Sequence, residues 1–237
     1  SSTRPFRAPH HTVSTAGLVG GGSPPRPGEI TLAHRGVLFL DELCEFSRPA
    51  LEALREPLET GEVTISRVTG SQTLPSRFIL VAAANPCPCG RGESDPDCDC
   101  SALAARRYRA ALSGALVDRI DLTVAVSQPA AEALQDGPGE PSAAVRERVT
   151  LARERMGRRL GAGRVNADAA RGELSEFGLS DPAAALLAEA HRSRYLSGRA
   201  HDRVIRVART VADLDASERI EEPHLASALQ FRRRGDR

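Results

Sequence analysis

The sequence predicts an α/β fold, a parallel-sheet core followed by an all-helical domain, and three observations lead there. Val37-Leu38-Phe39-Leu40 and residues 78–84 are near-continuous apolar runs that each end on a polar residue. Strands covered on both faces of a parallel sheet have this pattern, whereas a half-exposed strand alternates. Residues 128–141 are punctuated by Pro, Gly and Asp, which marks a linker. Beyond it, Arg and Glu recur at helical spacing among apolar residues. With 237 residues the chain has room for one large and one small domain, here 1–127 and 142–237.

Taken in order, residues 1–35 are rich in Gly, Pro and His, with a turn-dense segment at 20–28 between two short β-like runs. The strand at 37–40 follows, then an amphipathic helix over 49–59 with Ser47 as N-cap. Residues 62–77 read as a β-hairpin turning near Gly70, and 78–84 as a strand reaching Asn85. A Cys-rich loop covers 86–100, a helix fills 101–113, and 120–126 reads as a further strand. Helices are expected at 142–160, from Asp181-Pro182 onward, and at 198–214 and 222–231.

Composition removes several classes of function. Basic and acidic residues number 32 and 31, so any basic surface has to be local. Aromatics are 3% with no Trp, which argues against a stacking platform for single-stranded bases. No apolar run approaches the roughly 18 residues of a membrane span and no signal peptide is visible, so the expectation is a cytoplasmic chain with no membrane partner.

The first strand delivers Asp41 and Glu42 at its C-terminal end. This is the Walker B arrangement: the first carboxylate helps hold Mg²⁺ near nucleotide phosphates and the second polarises the attacking water. A buried strand ending in a helix-capping Asp is the alternative. Asn85 ends the second apolar strand, where an amide can hydrogen-bond a γ-phosphate and the attacking water, the sensor 1 role; the alternative is an Asn capping the turn before Pro86. ATP chemistry of this kind also needs a P-loop with its lysine. All 32 basic residues are Arg. The chain opens at Ser1-Ser2, which suggests a sequence that starts after the P-loop; a degenerate relative is the alternative.

Four of the five cysteines form C-x-C-x₈-C-x-C through Cys87, Cys89, Cys98 and Cys100. Four thiolates suit tetrahedral zinc, which would staple a loop too polar to hold itself. Free surface thiols are the alternative, and a disulfide is disfavoured in a cytosolic chain. Cys44 reads as a packed core thiol. His10 and His11 are adjacent on an extended segment and face opposite ways, so at least one is expected to be a structural hydrogen-bonder rather than part of a metal site.

Arg4-Pro5-Phe6-Arg7-Ala8-Pro9-His10-His11-Thr12, Gly20-Gly21-Gly22, residues 27–43 and Ala83-Ala84-Asn85-Pro86-Cys87-Pro88-Cys89-Gly90 resemble the ComM/YifB proteins, magnesium-chelatase-like AAA+ ATPases. The resemblance runs over nearly the whole chain. It implies an N-terminally truncated AAA+ P-loop-type parallel sheet with a C-terminal all-helical lid, ATP and Mg²⁺ as ligands, and a homohexameric ring. Residues 113–121 match the segment in which these proteins have an arginine finger, making Arg119 the candidate; a salt bridge to Asp118 or Asp121 is the bland alternative. Residues 197–203 resemble the start of the sensor 2 helix, making Arg199 the phosphate-contacting lid residue, while Arg203, Arg206 and Arg209 read mostly as surface ion pairs. The resemblance also makes 20–28 the helix-2 insert and 62–77 the pre-sensor 1 hairpin. In related rings such loops face the pore, where Arg26 and Arg67 would touch DNA phosphates unless they are ordinary turn arginines. The implied activity is a DNA helicase or branch-migration motor acting in recombination of incoming DNA. A protein-remodelling ATPase and a non-catalytic zinc-stapled module are the rivals.

Overall fold

The computed structural model describes residues 3–67, 70–92, 95–112, 114–126, 139–193, 196 and 198–232, with only the backbone at 67 and 199. The chain divides into two compact units, Ser1–Ile120 and Asp121–Arg237. The strands and helices of the first unit, in order, are β1 (Phe6–Arg7), α1 (Thr15–Val19), β2 (Gly20–Gly21), β3 (Arg26–Pro27), α2 (Glu29–Leu32), β4 (Val37–Leu40), α3 (Arg48–Ala53), α4 (Arg55–Thr60), β5 (Glu62–Arg67), β6 (Gly70–Pro75), β7 (Ile79–Ala82), α5 (Ala102–Arg109) and α6 (Gly114–Val117). The second unit is helical, with α7 (Ser142–Leu160), α8 (Asp181–Arg192), α9 (Gly198–Leu214) and α10 (Glu222–Gln230).

β4 is the middle strand of an all-parallel sheet ordered β1-β4-β7. Parallel strands alternate faces, and here the faces differ sharply. Leu38 and Leu40 are fully buried and pack with Leu18, Ile30, Phe46, Leu54 and Leu116. On the opposite face Phe6 stacks on Phe39 at 6.2 Å, yet Phe6 is 65% and Ile79 57% exposed. The sheet starts where Pro5 carbonyl accepts the Val37 N–H at 2.9 Å. Gly36 permits that approach, because a Cβ on it would lie 1.9 Å from the same oxygen.

β5 and β6 form the expected antiparallel hairpin, from Glu62↔Pro75 to Arg67↔Gly70. Val63 and Ile65 turn one face into the core, while Thr64 and Thr73 meet across the other at 3.3 Å. The helix expected over 49–59 is two helices, capped as expected by Ser47, whose Oγ accepts the Ala50 N–H. Pro57 accounts for the break, since it has no N–H to give the carbonyl four residues back and its ring crowds that carbonyl. Residues 120–126, expected to be a strand, are not one. Val126 is 90% exposed and Thr123 N–H donates to Phe231 carbonyl, so this alternating segment finds no strand partner among the described residues. The linker expected at 128–141 lies mostly outside the described residues.

In the helical unit α9 is central. Ala200, Val204, Ile205 and Ala208 line its buried side and pack with Phe177, Leu187, Ile220 and Leu225. Arg209, expected at the surface, is 1% exposed. Its guanidinium donates to the carbonyls of Phe177, Glu218 and Ser217 at 3.1, 2.9 and 2.5 Å and faces Asp213 at 3.3 Å. Burial lowers its pKa and the Asp213 charge opposes that. Asp213 also accepts from Arg159 at 2.6 Å and from Asn166 at 2.9 Å. Asp213→Ala would leave buried guanidinium charge uncompensated, and breaking such a pair costs about 3–5 kcal/mol. Chemical denaturation of the variant is expected to show a loss of that size.

Candidate functional site

The parallel register decides what the strand ends hold. Leu40 pairs with Ala82, Ala83 N–H donates to Leu40 carbonyl at 3.0 Å, and Leu43 N–H returns to Ala83 carbonyl at 2.8 Å. Asp41 and Glu42 therefore leave β4 beside the residues that lead from β7 to Asn85. All three are exposed at one edge of the sheet. The carboxyl ends of parallel strands are where open α/β sheets take ligands.

Immediately after β4 the backbone reverses. Glu42 adopts a left-handed conformation, φ 50° and ψ 47°, and its N–H donates to Asp41 Oδ1 at 2.9 Å. For a residue other than glycine this conformation costs about 1–2 kcal/mol. The Leu43–Glu45 turn that follows buries Leu43 and Cys44, so its anchoring sustains the strained residue. Cys44 is buried, as the sequence suggested. Glu42 meets His11 Nδ1 at 3.0 Å, a contact that sequence reasoning missed. Tyr108 is held up to about 12 by burial, then by the charges of Cys44 and Glu45, with a smaller contribution from Glu42.

The arginines lie elsewhere. Arg119 donates to Ala115 carbonyl at 2.7 Å and to Glu59 at the end of α4; its partner is neither Asp118 nor Asp121. The side chain is 12% exposed and borders an open cleft of about 320 Å³ lined by Glu52, Arg55, Glu56, Glu59 and Thr60. Arg26 is exposed on β3, in the two-stranded ribbon with β2. Arg67 ends β5 opposite Gly70, and Arg199 lies in the first turn of α9; both side chains are outside the described residues. Arg203 faces Asp121 at 3.5 Å, and Arg206 donates to Ala169 carbonyl at 2.9 Å.

The sulfurs of Cys87, Cys89, Cys98 and Cys100 all lie within 4.8 Å of one another. Cys87 is 3.3 Å from Cys89 and 3.8 Å from Cys98, and Cys89 is 3.7 Å from Cys98. A tetrahedron of thiolates about 2.3 Å from a zinc ion has edges of roughly 3.8 Å, so the donor set and its spacing fit. Burial raises the Cys87 thiol, but the Gly92 N–H and the surrounding thiols outweigh it and bring it to about 6. The Cys89 backbone lowers Cys100, whereas the Cys89 side chain, burial and Cys87 push it up to about 12.

A parallel sheet followed in sequence by a helical unit fits a magnesium-chelatase-like AAA+ protein, and the comparisons with known proteins establish that class. The family described as Magnesium chelatase, subunit ChlI, matches residues 1–134, and its C-terminal counterpart matches 139–232. The chain belongs to that family. Over 232 residues, 97% of this chain, it is 47% identical to competence protein ComM of Haemophilus influenzae and 44% identical to YifB of Escherichia coli. It is also 47% identical over 237 residues to a protein of Mycobacterium tuberculosis. The chain spans about half the length of these curated relatives, 45% for the first two. Among the described residues no helix is long and apolar enough to cross a membrane.

Proposed function

We propose that this chain supplies most of a AAA+ ATP-hydrolysing site, with the phosphate-cradling lysine coming from a P-loop segment outside these 237 residues. The observation that supports this most directly is the in-register pairing of β4 with β7, which brings Asp41-Glu42 out of β4 beside Ala83, two residues before Asn85. In this reading Asp41 offers its exposed carboxylate to Mg²⁺, Glu42 accepts the hydrogen bond of the attacking water, and Asn85 orients that water. Bound Mg²⁺ would neutralise developing phosphate charge. Arg119 acts in trans on the neighbouring subunit's nucleotide within a homohexameric ring, and Arg199 contacts phosphate from the lid. The exposed apolar face of Phe6, Ile79 and Val81 supports the same reading, because parallel sheets are covered on both sides and a P-loop strand and helix would cover this one.

The motor's substrate in this proposal is DNA, single-stranded or branched, in the cytoplasm. Arg26 on its two-stranded ribbon and Arg67 at the hairpin turn would touch phosphates and position the strand without reading its sequence. What favours DNA is the identity to a competence protein; what favours a protein-remodelling motor instead is the magnesium chelatase description of the family. ATP hydrolysis by the chain joined to its P-loop segment, with and without single-stranded and branched DNA, separates the two. Strong stimulation, lost in Glu42→Gln and reduced about 10³-fold or more in Arg119→Ala, is expected of the DNA motor. Hydrolysis indifferent to DNA would favour the remodeller. The chain by itself is expected to hydrolyse almost nothing, and Mg²⁺-dependent turnover by it that Glu42→Gln abolishes would overturn the proposed division of labour.

We also propose that the four cysteines hold a structural zinc ion. Among the described residues, loop 86–100 contributes only Cys87 to the buried apolar set, so a metal cross-link would add order that packing supplies little of. Metal analysis of the purified chain is expected to find a single zinc, absent in Cys98→Ser. Substituted cobalt should show the intense thiolate charge-transfer bands of a tetrahedral sulfur site. A metal-free wild-type chain with unchanged thermal stability would leave the cysteines as plain thiols.

A further inference from the structure

The sheet anchors Asn85 on one side only. Ala83 still belongs to the ladder, its N–H on Leu40 carbonyl and its own carbonyl taking the Leu43 N–H. From Ala83 to Pro86 every residue is exposed, and among the described residues the Asn85 carboxamide has no hydrogen-bond partner. Cys87 is the next buried residue. It is enclosed by its own loop, with the Gly92 N–H donating to its Sγ at 3.2 Å and the Gly90 N–H to its carbonyl at 3.0 Å. Gly90 and Gly92 have φ of 83° and 93°, a left-handed backbone that glycine adopts freely and that turns the loop back over the residues it has just left. A Cβ on Gly90 would lie 3.9 Å from the Asn85 carboxamide, and one on Gly92 3.2 Å from Pro86 Cγ. The loop thus backs Asn85, and it is only as firm as its hold on Cys87.

The other end of the loop leads into the core. Cys100 directly precedes Ser101, whose Oγ accepts the Ala104 N–H at 3.2 Å and caps α5, and Ala105 of that helix is fully buried. A metal held by the four sulfurs would therefore tie the exposed segment around Asn85 to a helix seated in the core. We propose that the metal-loaded cysteine cluster positions Asn85: Cys87, cross-linked through the metal to Cys89, Cys98 and Cys100, is the second anchor that keeps the carboxamide directed at the attacking water. Cys87 is a positioning residue, since it touches neither nucleotide nor water and acts through Asn85. This rests on two readings given above, the cysteines as a zinc site and Asn85 as the group that orients the water.

Two measurements test it. In the chain itself, stripping the zinc is expected to move the side-chain amide resonances of Asn85 while the backbone amides of α8 stay in place. Cys98→Ser should reproduce that shift, and Cys98→His, which supplies a nitrogen ligand that zinc accepts, should reverse it. An Asn85 amide that stays put in a chain that has lost its zinc overturns the inference. In the protein joined to its P-loop segment, zinc removal followed by return to Mg²⁺ is expected to lower kcat about 10- to 100-fold with KM for ATP nearly unchanged. In Asn85→Ala the same removal should change the remaining rate by less than about 2-fold, because the effect passes through that side chain. An Asn85→Ala protein that slows on zinc removal as much as the unaltered one points to general loosening and overturns the inference, leaving both readings in place. A purified chain without zinc overturns the metal reading and the inference together. Hydrolysis untouched by Asn85→Ala overturns the role of Asn85 and the inference, and leaves the metal site standing.

Discussion

The site depends on β4 having a parallel partner on each side in a fixed register. The ladders themselves set it, and backbone hydrogen bonds extend them at both ends: Val37 to Pro5, Ile79 to Gly36, Ala83 to Leu40 and Leu43 to Ala83. A slip of one residue would turn Phe39 into the core and Leu38 and Leu40 out of it, which the burial of both leucines forbids. With the register fixed, the backbone brings Asp41 and Glu42 out at the carboxyl end of β4, and the turn that follows fixes how they leave it. The chemistry is thus set by the core two to four residues upstream, on the rigid part of the fold, and only the side-chain torsions remain to be restrained locally.

The same constraint explains why strain collects at Glu42. The chain must leave β4, return a hydrogen bond from Leu43 to the β7 side, and bury Leu43 and Cys44 within three residues. An extended backbone at residue 42 would carry the chain on along the strand direction instead. The strain is therefore imposed by two anchored neighbours, and it costs little beside the burial of those side chains.

Much of this was legible in the sequence. Both apolar strands, the hairpin, the Ser47 cap and the α7 limits followed from apolar runs, turn residues and spacing, and the exit of Asp41 and Glu42 at the carboxyl end of β4 followed from the apolar run that precedes them. The misses share a cause, which is that each depended on a partner far away in sequence. The segment 120–126 alternates like a strand, but alternation cannot supply the neighbour a strand needs. Arg209 sits at helical spacing with surface arginines, and its burial reflects carbonyls from residues 177, 217 and 218 and the carboxylate of Asp213. His11 and Glu42 are joined only through the register of β1 on β4, which no local pattern announces. The break before Pro57 is the exception, since the proline was in plain view and its rule was simply outweighed by the amphipathic pattern.

Arg209 and Arg119 share a chemistry with opposite consequences. A guanidinium presents several donors in a plane, so Arg209 can satisfy three carbonyls and a carboxylate together and become part of the core. Arg119 is held by one carbonyl and one carboxylate, and Glu59 is more than half exposed. An exposed carboxylate competes poorly with a phosphate, which has more charge and more acceptor oxygens. Release of Arg119 from Glu59 would disturb a surface pair alone, whereas release of Arg209 would open the hydrophobic core of the helical unit. Of the two, Arg119 is the arginine that the proposed function needs to exchange partners, and in that reading Glu59 would supply its resting position.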